Sequence, residues 1–111
     1  MRIWDVPPEE LCRQHLLGEH RELHGLWNIL TKHKGKGGYA NHPETKRWVG
    51  KTAALYTRHE ALVREMEARG YNHASPLDKK LAGGKQIQND YIDDIATQRE
   101  LLKTKPCACT P

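Results

Sequence analysis

A chain of 111 residues with net charge +4, 37% hydrophobic and 29% charged side chains suits one small domain with a modest core rather than two independent ones. It contains no long apolar run, so neither a membrane span nor a secretory signal is read, and a cytoplasmic protein, nucleoid-associated if bacterial, is expected. The charge is uneven: residues 1–31 carry three basic and five acidic side chains, whereas residues 32–51 carry six basic and one acidic.

The first helix is expected to begin near Pro7-Pro8-Glu9-Glu10, because proline suits a first helical turn and acids there complement the helix dipole. Leu16, Leu23, Trp27 and Leu30 mark its buried stripe. His15, Gly18, Glu19 and Glu22 fall on a neighbouring polar face, which Gly18 leaves open to close approach. The glycines of residues 34–42 predict a loop without the spacing of a phosphate-binding loop. Lys32, Lys34, Lys36, Lys46, Arg47 and Lys51, with Tyr39, Asn41 and Trp48 among them, suit a surface that tracks phosphates, or equally a solvated lysine-rich loop. Pro43 should open a second helix running to about Arg69 and closed by Gly70, with Trp48, Thr52, Leu55, His59, Leu62 and Met66 inward. Residues 71–89 read as a connection, and a third helix fits Asp90 to Lys103 with Tyr91, Ile92, Ile95 and Leu102 inward. An all-α single domain of three main helices with long loops follows, with residues 106–111 as a flexible tail.

Two features bear on chemistry. Arg2 is too large for routine removal of the initiator, so a chain translated as written presents the α-amine of Met1. That amine titrates near ~8, against ~10.4 for lysine, and is in useful part an uncharged nucleophile at neutral pH. Glu22 lies about two turns into the first helical segment. The histidines of His20-Arg21-Glu22-Leu23-His24 are one turn apart, yet the residue after the first is arginine rather than the glutamate of a zinc-protease motif. His59 reads as a satisfied, half-buried histidine rather than a ligand. Cys12, Cys107 and Cys109 are an odd number for a disulfide scaffold, and two cysteines alone are an incomplete metal site. No metal or other cofactor is expected.

Arg2-Ile3, then Leu11, Gln14-His15-Leu16, Glu19 and Arg21-Glu22-Leu23, resemble the N-terminus of the phage endonuclease V family of pyrimidine-dimer DNA glycosylases. The similarity resumes at residues 61–72. The resemblance implies a compact helical enzyme that uses its N-terminal α-amine at C1′ of a damaged nucleotide in double-stranded DNA, then cuts the strand by β-elimination. It implies that Met1 supplies the amine and Glu22 the essential carboxylate, with Arg2, Gln14, His15 and Arg21 on DNA; the basic residues Lys34, Lys36, Arg47 and Lys51 would grip the backbone beside them. The chain departs from the family at Gly25, where the family has arginine, and at residues 105–111, where the family has an aromatic, lysine-containing tail. A monomer with no membrane partner is expected. Two other classes stay open: a non-catalytic nucleic-acid-binding helical module, and a small metal-binding helical protein.

Overall fold

The computed structural model describes residues 2–32, 42–71 and 76–104. Among these, four α-helices and two short 3-10 turns account for the regular structure: α1 (Arg13–Thr31), α2 (Pro43–Arg47), α3 (Thr52–Ala68) and α4 (Ile95–Lys103), with turns at Pro8–Glu10 and Lys79–Leu81. The all-α architecture matches the expectation. The number and limits of the helices do not.

The Pro7-Pro8-Glu9-Glu10 run forms a separate 3-10 turn rather than the start of α1. Leu11 then adopts an extended backbone, and Cys12 becomes the N-cap, its sulfur accepting the His15 amide at 3.5 Å. From Arg13 onward α1 buries Leu16, Leu23, Leu26 and Trp27 against α3. Leu26 completes the stripe more fully than Leu30, which is half-buried.

The single helix expected from Pro43 to Arg69 is two. α2 starts at Pro43, capped by His42 Nδ1 on the Glu44 amide at 3.1 Å, and ends after one turn. Gly50, at φ +74°, breaks the path before α3 begins. No side chain caps α3; its first amides are taken by a distant loop, Ala53 donating to the Gly83 carbonyl (2.8 Å) and Ala54 to that of Lys85 (3.1 Å). Lys85 in turn donates to the Gly50 carbonyl at 3.0 Å. The two loops approach so closely at Gly84 (φ +74°) that a Cβ there would collide with the Gly50 carbonyl. At its other end α3 closes as the sequence indicates. Gly70 takes φ +82°, its amide reaching the Glu67 carbonyl and that of Tyr71 the Met66 carbonyl, both at 2.9 Å, the paired bonds of a Schellman cap.

α4 starts five residues later than the pattern suggested, because Asp94 caps it by accepting the Thr97 amide at 2.7 Å. Tyr91 and Ile92 therefore precede the helix and stay exposed, at 43% and 48%, while Gln98 and Leu102 take the inward positions. The core gathers Leu16, Leu23, Leu26 and Trp27 from α1, Leu55, Leu62 and Met66 from α3, Leu102 from α4, and Trp48. Ile3, Trp4, Val6 and Leu11 of the N-terminal arm complete it.

Candidate active site

The arm, residues 2–6, belongs to no helix or sheet, so its backbone polar groups must find other partners. Side chains from all four helices supply them. The Ile3 carbonyl accepts from Arg47 Nη2 of α2 at 2.8 Å, and the Trp4 amide donates to Glu19 Oε1 of α1 at 3.1 Å. The Asp5 amide donates to Gln98 Oε1 of α4 at 2.7 Å, and the Val6 carbonyl accepts from Arg58 Nη1 of α3 at 2.8 Å. The arm is thereby fixed across α1, with Arg2 at its outer end.

Glu19 is the centre of this arrangement. The sequence places it on an open polar face beside Glu22; the structure buries it, because Arg58 crosses from α3 to pair with it (Nε to Oε2 2.7 Å, Nη2 to Oε1 3.0 Å). Burial pushes its carboxyl above the ordinary carboxylate range, against the opposing pull of Arg58.

Arg2, Trp4, Gln14, His15, Gly18, Glu19 and Glu22 line one cleft of about 260 Å³. The Arg2 guanidinium lies over the Trp4 ring, 4.5 Å from its centroid, and pairs with Asp93 at 3.0 Å. His15 meets the Trp4 ring edge-on at 5.9 Å and holds Cys12 Sγ 3.2 Å from its Nδ1. Gly18 leaves the floor open, with nothing within 4 Å of where a Cβ would stand. Glu22 is exposed at the rim. Arg21, also exposed, lines an adjoining cleft of about 360 Å³ with Arg13, Gln14, Leu17 and Gly18. Five of the predicted residues, Arg2, Gln14, His15, Arg21 and Glu22, thus fall on one continuous surface of the arm and α1.

Residues 1–79 match the model of the family described as pyrimidine dimer DNA glycosylase. The chain belongs to that family. No curated protein and no solved structure matches it. As a pyrimidine dimer DNA glycosylase by family, the protein is a DNA-repair glycosylase whose partner is damaged DNA.

Two of the residues expected to contact DNA lie away from this surface. Arg47 is buried: beyond the Ile3 carbonyl it serves Glu44 (2.7 Å), Asp5 (3.1 Å) and the Asp90 carbonyl (3.0 Å). Burial opposes its charge, but Glu44 and Asp5 more than offset that and raise its pKa above the ordinary arginine value. Lys51 is likewise buried, with its ammonium on Asp90 at 2.6 Å and Gln88 at 2.8 Å. Both are committed to internal acceptors because the break after α2 turns them inward against residues 88–90. Met1, Lys34, Lys36, Tyr39, Asn41, Cys107 and Cys109 lie outside the described residues. Sequence reasoning missed Arg58 and Gln98, which hold the arm; a charged or amide side chain at an apolar stripe position was the available signal.

Away from the cleft, three histidines meet between α1 and α3. Nε2 of His24 lies 3.2 Å from Nε2 of His20 and 3.2 Å from Nε2 of His59. His59, read from sequence as half-buried, is fully buried, and its Nδ1 stands 3.0 Å from Glu60 Oε1.

Proposed function

We propose that the protein is a bifunctional glycosylase and abasic-site lyase acting on cyclobutane pyrimidine dimers, with the α-amine of Met1 as nucleophile and Glu22 as the carboxylate that serves it. The observation that carries this reading is the cleft in which Glu22 faces Arg2. In a chain that starts at Met1, the amine belongs to the residue before Arg2, whose Cα is about 3.8 Å from that of its neighbour.

The amine nitrogen bonds to C1′ as the C1′–N bond to the pyrimidine breaks, the base leaving with the bonding pair. The nitrogen loses a proton, its lone pair then forms the C=N bond as the C1′–O4′ bond breaks, and O4′ keeps that pair and takes up a proton, which gives a protonated imine and an open sugar. Glu22 stabilises that cation and accepts the C2′ proton; the electrons form a C2′–C3′ double bond, and the 3′ phosphate leaves with the C3′–O pair. Arg2, Gln14, His15 and Arg21 would hold phosphate and sugar around the site. A damaged base lowers the cost of opening the duplex, which adds selectivity.

Borohydride trapping on duplexes carrying an abasic site or a dimer, followed by peptide mapping, tests the assignment. An adduct at Met1 on both substrates is expected. An adduct on a lysine, or none, would move the reading to another nucleophile or to a binding module. Glu22→Gln should fold normally, since the side chain is exposed, and cut abasic DNA on the order of 100-fold or more slowly; unchanged cleavage would remove Glu22 from the mechanism.

A further inference from the structure

We propose that His20, His24 and His59 form a zinc site that clamps α1 to α3, separate from the DNA-repair cleft. One ligand nitrogen from each histidine can be drawn so that all lie within 4.8 Å of one another. The separations of His24 Nε2 from the Nε2 atoms of His20 and His59 are both 3.2 Å. Zn–N bonds of about 2.0–2.1 Å at tetrahedral angles place neighbouring ligand nitrogens about 3.3 Å apart, so the rings stand close to ligand spacing.

Protons serve this arrangement poorly. A ring nitrogen offers one in-plane position, either an N–H or a lone pair. His24 Nε2 faces two other ring nitrogens at the same distance, and one lone pair or one N–H cannot point straight at both. A cation between the rings accepts all three lone pairs at once. Glu60 adds a second, independent observation: with its carboxylate on His59 Nδ1 at 3.0 Å, the proton is held on Nδ1 and Nε2 is left as the donor. Such an outer carboxylate is the usual companion of a metal-bound imidazole. An all-imidazole donor set suits zinc, copper or nickel; we commit to zinc, with water in the fourth position, because the half-buried His20 and His24 leave one side open.

The position argues for a clamp. His24 and Glu22 are two residues apart on α1, hence about 160° apart around its axis, so the ion would sit on the other flank of the helix from the cleft. An ion bound only by the folded chain stabilises it by mass action, and here it would join the two helices that form the centre of the core.

The full chain, purified without a histidine tag and stripped with a chelator, is titrated with zinc by calorimetry and with cobalt by absorption. One zinc per chain at submicromolar Kd, a raised Tm, and cobalt d–d bands of tetrahedral intensity without a thiolate charge-transfer band are expected. His20→Gln and His24→Gln, both at half-buried positions, should keep the helical circular dichroism and bind zinc on the order of 100-fold more weakly; Glu60→Gln should weaken it about 10-fold. Zinc affinity unchanged in the two histidine variants, a cobalt spectrum with thiolate character, or no binding below about 100 μM would overturn the site. Borohydride trapping reads the lyase reaction independently, so failure of one proposal leaves the other standing.

Discussion

Glu19→Ala would remove an acceptor from two groups at once, the Arg58 guanidinium and the Trp4 amide. Deleting one partner of a buried pair strands the other, at a cost of about 3–5 kcal/mol, and urea unfolding should report a loss of that size. The same variant should lose borohydride trapping, because the arm carrying Arg2 is released, whereas Glu22→Gln loses cleavage with stability intact. Those two neighbours on one helix face therefore separate by assay. The raised pKa of Glu19 adds a pH signature. The folded chain holds this proton more tightly than the unfolded one, so the contribution favours folding below the ordinary value of about 4.3 and fades as pH rises through the raised one. The exposed place of Glu22 on the cleft rim was legible in the sequence, because helical periodicity alone sets it apart from the apolar stripe of α1. The burial of Glu19 was not, because its partner is 39 residues away and periodicity gives both glutamates nearly the same face.

The helices were legible where their signals are local. Proline opens α2 at Pro43, and Gly70 closes α3. Their failure between residues 48 and 51 has a non-local cause. An isolated glycine in a helical pattern costs only about 1 kcal/mol, too little to predict a break; what stabilises the break at Gly50 is the loop at residues 83–85, which supplies carbonyls to the start of α3. Gly84→Ala should therefore destabilise by more than the roughly 1 kcal/mol typical of a conformational effect, since the added methyl meets backbone rather than a movable side chain; thermal melting checks this. α4 and the segment before it depend on acids. Lys51 holds Asp90 below the ordinary carboxylate range, and the Thr97 amide does the same for Asp94. Stabilisation from both is present above about pH 3.9 and is lost as pH falls through their lowered folded values. Amide exchange followed during acid titration should show residues 88–104 opening ahead of α1 and α3; simultaneous opening would contradict this.

Across the whole molecule, the family match ends at residue 79, yet the arm within the matched region leans on residues beyond it. Asp5 and Gln98 exchange two hydrogen bonds, amide to Oε1 at 2.7 Å and Nε2 to Oδ2 at 3.0 Å, and Arg2 pairs with Asp93. A chain truncated after residue 94 should keep much of α1 and α3 but lose imine trapping, with circular dichroism and adduct yield measured side by side. Full trapping by the truncated chain would show that the cleft is positioned without α4. The inward place of Gln98 on the apolar stripe of α4 hints at a buried partner, but nothing local to it says that the partner is Asp5, 93 residues away.

The link between Asp5 and Gln98 also bears on how the chain closes on itself. It joins positions 93 residues apart in sequence, so of the arm's ties it encloses the longest loop, and the entropy cost of closing a loop grows with its length. Docking of α4 and fastening of the arm are therefore one event, expected late in folding, after the more local contacts between α1 and the arm have formed.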